Sequence, residues 1–401
     1  MLNPNTNQRE LAYVVAIDEI RPIEGYDRVE YARVGGWWVI VRKDQFKVGD
    51  LAIYIEVDSK VPEQEPFMFL EKRNFKVKTL KMCKVISQGL LMSPEDFGWF
   101  ANIDNTLIID GDKDEGLKIG DFLTEKLGIT YADAADNKRK ANSEDKYKKM
   151  AQRNGKLFSK QPFRWLMKRD WGRKLLFIFF GKKKDKKGAW PTWVVKTDEE
   201  RIENLPYLFN DKSEWIATEK IDGTSTTFTM KRIGKKKYEF YICSRNVVFD
   251  KPEKECYYDT NVYIEMAEKY NIEYVLKTYL ENHPEVEWVT LQGETYGEGI
   301  QKRNYSLKEH CFMGFNFITS TEGRWNSIKA AEEMQKAEIP WVPILEHNFI
   351  LPDTIEELRT YIDSKKSVID GEMREGIVFR SLDGSRSFKC VSPEFLIKYH
   401  G

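Results

Sequence analysis

From Leu11 to Met92 the chain alternates between short runs rich in β-branched and aromatic residues, LAYVVAI, VEYARV, WWVIV, LAIYI, TLKMCKVI and GLLM, and breaks at Gly35-Gly36, Gly49-Asp50 and Pro62. Runs of that length with glycine turns predict short strands closing into a small barrel or sandwich. Residues 101–188 lose this pattern and become polar, then alanine- and lysine-rich, with one apolar core, LLFIFF, inside a basic run. From Trp190 onward strand-like runs alternate with helical stretches at 261–282, 326–337 and 354–364. Thr197 is placed to cap a short helix starting DEERIEN, which ends at Leu205-Pro206. The stretch EWIATEKIDGTSTTFTM, residues 214–230, predicts a strand, an Asp-Gly turn and a threonine-rich return strand.

These shifts divide the 401 residues into three parts: 1–100, 101–188 and 189–401. At about 90 residues the first is best read as a five-stranded OB-type barrel. Lys43, Lys47, Arg73, Lys76, Lys78, Lys81 and Lys84 are interleaved there with Trp37, Trp38, Phe46 and Phe75. That interleaving suggests a basic face with stacking surfaces for nucleic acid, with Lys43, Arg73, Lys76 and Lys81 as its contacts; the plainer reading puts the aromatics in the barrel core. The formal net charge is zero, yet residues 138–187 hold 19 Lys or Arg against 4 Asp or Glu. This segregation suggests a local polyanion contact, made by a linker helix that packs on a neighbouring domain. The five cysteines and four histidines show no paired ligand spacing, which argues against a zinc site and for a reducing compartment. The polar amino terminus lacks a signal-peptide core, and no run approaches the ~18 apolar residues of a membrane span. A cytoplasmic or otherwise intracellular protein without membrane contact is expected.

The candidate chemistry centres on Lys220. An amine is nucleophilic only when neutral, so burial or a nearby cation is expected to lower its pKa. Asp222-Gly223 lets the chain reverse closely against a ligand. Further along, CSRN places Ser244, Arg245 and Asn246 at a strand end, where a guanidinium can grip phosphate. LQGETYGEG sets Glu294 after a glycine, REGIVFR sets Glu375 before Gly376, and SFKCVS offers Lys389 on the last strand. Each alone also fits a surface ion pair.

Together these stretches resemble, in order and separation, the motifs of the covalent nucleotidyltransferases, the superfamily of ATP-dependent ligases and mRNA capping enzymes. K-x-D-G is Lys220 to Gly223; the later motifs resemble SRN at 244–246, GE at 293–294, FMGFNF at 312–317, EGIVFR at 375–380 and FK at 388–389. Twelve residues follow Lys389, too few for an OB domain there, whereas a barrel-like segment precedes the transferase part. That order resembles the ATP-dependent RNA ligases of the Naegleria/Deinococcus type, as do TEKIDGTS and KTDEERIEN.

The resemblance implies an α+β chain: an OB-type nucleic-acid-binding domain over 1–100, a basic linker or helical segment over 101–188, and an ATP-grasp-like adenylyltransferase domain with antiparallel sheets and flanking helices over 189–401. It implies Lys220 as the nucleophile that becomes lysyl-AMP and Lys389 on the α-phosphate, with Arg245 on the ribose or the incoming 5′-phosphate. Glu219 would read the adenine edge, and Phe315 or Phe317 would stack on the base. Glu294 and Glu375 would serve the ribose and a Mg²⁺ or Mn²⁺ ion, a cation that would also depress the Lys220 pKa. Where some RNA ligases carry a second lysine, the chain has Val391, so Lys389 acts alone or with Lys398; Phe315-Asn316 replaces the common Phe-Asp pair. The implied reaction is ATP-dependent joining of a 3′-hydroxyl RNA end to a 5′-phosphate end at nicks in duplexes by a monomer. A DNA ligase or guanylyltransferase of the same superfamily, and a non-catalytic nucleic-acid-binding protein, are the alternatives.

Overall fold

The computed structural model describes all residues except 4–8, 102–105, 110–111, 133–159, 168, 181–189, 246, 250–260 and 401. Two compact units result, one of 1–131 with 188–401 and one of 132–187. In the smaller unit the described residues form two helices, Gln161–Met167 and Asp170–Phe180, with Trp165 edge-on to Trp171 and the Arg169 guanidinium over Trp165 at 4.0 Å. Most of the expected basic linker lies outside the described residues. No helix among them is long and apolar enough to cross a membrane.

In the amino-terminal part, strands Ala12–Ala16, Leu51–Ile55 and Leu90–Met92 form one antiparallel sheet, and Glu19–Ile23, Tyr26–Val34 and Trp37–Arg42 form another. The uninterrupted apolar run LAIYI is explained by burial on both faces: Leu51, Ile53 and Ile55 pack with Val14 and Phe67, whereas Ala52 and Tyr54 pack with Tyr13, Trp37 and Val39. Strand Glu19–Ile23 was not legible because it contains Pro22; it lies at the edge of its sheet, where a missing N–H is tolerated. Trp37, Trp38, Phe46 and Phe75 are all buried, which corrects their reading as stacking surfaces. Trp38 stacks on Tyr31, with the Arg21 and Arg33 guanidinium groups 4.6 and 5.9 Å from its ring.

The carboxy-terminal part is built on two sheets. One orders Glu200–Arg201, Ser387–Val391, Gly376–Ser381, Glu214–Lys220 and Ile344–Ile350; the other orders Val248–Phe249, Lys237–Ser244, Thr224–Gly234, Trp288–Gly297, His310–Thr319 and Gly323–Arg324. All pairings are antiparallel except that of Glu200–Arg201 with Ser387–Val391. Helix Ile355–Ser364 covers the first sheet through Ile355, Leu358 and Ile362. Helices Val262–Lys269, Ile272–Asn282 and Ser327–Lys336 cover the second through Met266, Leu276 and Met334. The expected helix 261–282 is thus two, broken where Asn271 adopts φ 48°. The buried threonines of the return strand satisfy one another across the sheet, Thr226 with Thr295 and Thr229 with Thr290, both at 2.7 Å.

The helix expected after Thr197 does not form; a two-residue strand and the 3-10 turn Ile202–Asn204 take its place. Each polar residue of that stretch goes to a partner far along the chain, which overrides local propensity. The Thr197 hydroxyl lies 2.5 Å from that of Ser225, Asp198 takes Arg245, and Glu199 lies 3.5 Å from both Arg324 and Arg380.

This stretch also fastens the barrel to the carboxy-terminal sheets. Glu56 of the barrel is fully buried and accepts from Arg9 at 2.8 Å and from Asn204 at 2.9 Å, and Trp37 donates to Asn204 at 2.7 Å. Arg201 pairs with Asp58 at 3.1 Å, and Arg359 donates to both Gln88 and Glu203. Gly36 is required here: a Cβ would stand 2.6 Å from the Glu203 Cα.

Candidate active site

Lys220 ends its strand directly opposite Gly376, so the residue before Gly376 is delivered to the amine. Glu375 places its two carboxylate oxygens 2.7 and 2.8 Å from the Lys220 Nζ. The turn then crosses to the second sheet, where Ser225 pairs with Glu294 and Thr224 with Thr295. A Cβ at Gly223 would lie 2.3 Å from the Thr295 carbonyl and 2.8 Å from the Glu294 Cγ. Only glycine lets the turn lie this close to Glu294, which is the physical content of the last position of K-x-D-G. Lys220, Glu294 and Glu375 therefore meet where the two sheets adjoin.

Their electrostatics differ from expectation in one respect. Burial acts to lower the Lys220 pKa, but Glu375, Glu294 and Asp222 outweigh it and hold the amine above its ordinary value. The lowered pKa expected from the sequence is not found. Glu294, half-buried, is pushed up to about 8 by burial, with Glu375 and Asp222 adding to the effect. Burial also holds the Glu375 carboxyl above the usual range, Lys220 pulling the other way.

Lys389 lies on the strand beside Gly376–Ser381, opposite Val378, with Arg201 on its other side. Its pKa is lowered to about 7, first by burial and then by Arg9, with Arg201 and Lys220 adding and Asp198 opposing. Arg245 pairs with Asp198 at 2.5 Å and sits 4.4 Å over the Tyr131 ring. Four cations, Arg9, Arg201, Arg245 and Lys389, thus gather around Asp198, Asp58 and Tyr131. Arg201 is 4% exposed, and two of its guanidinium nitrogens have no partner among the described residues.

Glu219, the neighbour of Lys220, points to the other face of its strand. It accepts from the Val368 N–H at 3.0 Å and lies 3.7 Å from Arg374, and its Oε1, although buried, has no partner among the described residues. Phe315 and Phe317 are separated by their environments. Phe317 is fully buried against Tyr279 and Trp325, whereas Phe315 faces Ile221, Tyr296 and Tyr305, with the Arg380 guanidinium 5.6 Å from its ring. Lys398 is exposed over Tyr399, and Asn246 lies outside the described residues.

The four barrel residues expected to contact nucleic acid do not form one set. Lys81 pairs with Glu394 at 2.9 Å; Lys43 and Arg73 are exposed at separate turns; Lys76 faces Lys60 across a strand pair. Residues that sequence reasoning passed over, Asp198, Arg9, Tyr131 and His400, belong to the site. The His400 ring lies 3.2 Å from the Asp222 carboxylate. Of these only Asp198 stood in a stretch already singled out.

Among the described residues no three His, Cys, Asp or Glu side chains converge on one point. Two carboxylates, Glu294 and Glu375, are what the site offers a cation, and Mg²⁺ characteristically takes one or two carboxylates and completes its shell with water and substrate phosphates.

Residues 11–94 match a family model described as an OB-fold domain, and residues 213–400 match one described as RNA ligase. No match was found among curated protein sequences. Among solved structures, Naegleria gruberi RNA ligase with PPi aligns with TM-score 0.71 and 24% identity over 98% of this chain and 99% of that one. A point variant of that ligase with ATP and Mn aligns at the same score and identity, over 98% of this chain and 100% of that one. Another, with AMP and Mn, does so over 98% and 99%. The chain carries an RNA ligase domain behind an OB-fold domain, and its fold is that of the Naegleria gruberi RNA ligase.

Proposed function

We propose that the protein is an ATP-dependent RNA ligase that joins a 3′-hydroxyl end to a 5′-phosphate end at nicks in RNA-containing duplexes. The observation that carries this reading is the meeting of Lys220, Glu294 and Glu375, with Lys389 and Arg245 alongside, at the junction of the two sheets. Residues 1–100 serve as the nucleic-acid-binding domain and 189–401 as the adenylylating domain of a monomer acting inside the cell.

In the first step the Lys220 Nζ attacks the α-phosphorus of ATP, an N–P bond forms, and the bond to the bridging oxygen of pyrophosphate breaks. The amine must give up a proton, and Glu375, 2.7 Å away and held above the usual carboxylate range, is the nearest base. The AMP then moves to a 5′-phosphate, forming a P–O–P anhydride, and a 3′-hydroxyl displaces it. All three steps demand in-line placement and neutralisation of charge on phosphate oxygens. Lys389 supports the α-phosphate, while Arg245, Arg201 and Arg9 face the remaining phosphates. Phe315 stacks on the base, the buried Oε1 of Glu219 accepts from its edge, and Arg245 moves to the 5′-phosphate in the second step.

Glu294, with Glu375 once it has passed on its proton, would hold a Mg²⁺ or Mn²⁺ ion. When bound, such an ion offsets charge on the α-phosphate and on the two carboxylates that keep the amine protonated.

Incubation of the pure protein with α-labelled ATP and Mn²⁺, with Lys220→Ala in parallel, tests the reading on a denaturing gel. Label on the wild type alone establishes the lysyl-AMP enzyme. Absence of label with ATP after bound AMP is stripped, together with labelling by GTP, would instead identify a guanylyltransferase. No labelling with either would leave a nucleic-acid-binding protein.

A further inference from the structure

The loop between strands Trp288–Gly297 and His310–Thr319 reaches back to the turn that carries the nucleophile. The Asp222 backbone N–H donates to the Tyr305 hydroxyl at 2.7 Å, and the Gln301 side-chain amide donates to the Gly223 carbonyl at 2.9 Å. One short loop thereby fixes two peptide groups of the turn that follows Lys220.

The same loop also grips the segment that leads into Glu375. Arg303, 4% exposed, pairs with Asp370 at 2.6 Å and donates to the Met373 carbonyl. Its guanidinium lies 4.1 Å from the centre of the Tyr305 ring, which also meets Tyr296 in a T-shaped contact at 5.2 Å. Tyr305 and Ser306 take φ of 54° and 58°, consecutive left-handed conformations that non-glycine residues adopt only when surrounding contacts enforce them. The strain places the Tyr305 hydroxyl under the turn.

We propose that residues 301–306 act as a caliper that sets the distance between Lys220 and Glu375, with Tyr305 and Arg303 as positioning residues for lysine adenylylation. The inference rests on the ligase reading above. Tyr305 holds one jaw through Asp222, and Arg303 holds the other through Asp370 and Met373. The contact between their side chains couples the two. A chemical step requiring attack in line at phosphorus is sensitive to placement at the level of an ångström.

The test is single-turnover adenylylation over a range of ATP concentrations. Tyr305→Phe keeps the ring and removes only the acceptor of the Asp222 N–H. Its rate at saturating ATP is expected to fall about 10- to 100-fold, with half-saturation unchanged within about twofold and the labelled fraction at completion undiminished. A purely structural role would lower that fraction and leave the rate of the folded molecules intact, which would overturn the proposal. In the double variant Tyr305→Phe/Glu375→Gln the loss is expected to be no greater than in Glu375→Gln alone, because the caliper acts through that pair; multiplied losses would also overturn it. Should Tyr305→Phe fail to fold, Gln301→Met removes the half-exposed second tie and is expected to slow the same step about threefold, again without moving half-saturation. A wild type that forms no lysyl-AMP would instead sink the ligase reading, so the two failures are distinguishable.

Discussion

Glu56 and Glu294 make the most informative pair of residues in the molecule. Glu56 lies in the seam between barrel and sheets, fully buried, yet Arg9, the Met1 ammonium and Asn204 hold its pKa down to about 2 against the penalty of burial. Glu294 lies at the active site, and burial pushes it up to about 8 while no hydrogen-bond donor among the described residues reaches its carboxylate. The seam repeats the first pattern where Arg359 has Glu203. The site repeats the second, with Lys389 driven down to about 7 and Glu219 keeping an unpartnered oxygen. Glu56 in the seam is answered by the protein's own donors, whereas Glu294 and Lys389 in the site are left for nucleotide and cation to meet. Perturbation toward the neutral form marks Glu294, Glu375 and Lys389, whereas Lys220 among them is held in its charged form.

The sharpest way to break this contrast is to remove a partner from each side. Glu375→Gln leaves Lys220 without its base, and self-adenylylation is expected to fall at least 100-fold, with thermal melting nearly unchanged. Glu56→Gln strips Arg9 of its buried partner and is expected to cost about 3–5 kcal/mol, lowering the melting temperature by roughly 10 °C. Protein that remains folded at 20 °C should still take up label. A Glu56 variant that melts normally but cannot adenylylate would move the seam into the catalytic apparatus.

Lys389 gives a smaller effect with an unusual sign. Its folded-state pKa of about 7 lies below the ordinary value of 10.5, so between those values the unfolded chain binds more protons than the folded one. Its contribution to stability is full above 10.5, declines as pH falls, and is lost through 7. Lys389→Met has no such dependence. The variant is expected to melt a few degrees above the wild type at pH 6 and to lose that advantage as pH rises toward 10, while failing to label at any pH. A parallel shift of both melting curves with pH would show that Lys389 is solvated.

How much of this could be read from the chain alone depended on where the signal was local. Lys220 and Glu375 stand at strand ends and Glu294 and Lys389 within strands, each marked by its own glycine or short motif, and the structure brings them together. The preference between Phe315 and Phe317 could not be read, because two residues apart on a regular strand they would share a face, and a bulge that leaves Phe315 as the extra residue separates them. The KTDEER stretch misled because its helix signals are genuine; what defeats them are Arg245, Arg324 and Arg380, up to about 180 residues away. Tyr305 and Arg303 carried no signal, since their roles are hydrogen bonds to backbone groups of segments distant in sequence.

The barrel offers the finest test of the comparison, because one group of its lysines departs from the seam's pattern. Lys76 stands in a short strand, directly opposite Lys60 in register. Lys78, two residues on, has its pKa lowered by burial and then by Lys302 and Lys76, with Asp58 opposing. Lys302 belongs to the loop that holds the Lys220 turn, so this cationic group borders the active site. A phosphate backbone laid across it would relieve the repulsion, so Lys78→Ala is expected to weaken binding of nicked duplex only a few-fold at low salt. It should also reduce the slope of log affinity against log salt by about 1, leaving self-adenylylation at the wild-type rate. Lys43→Ala and Arg73→Ala, at separate turns, are expected to change the slope less. If instead Lys78→Ala leaves the slope unchanged and raises the melting temperature, the repulsion is relieved by nothing the enzyme binds, and these lysines belong with the scaffold.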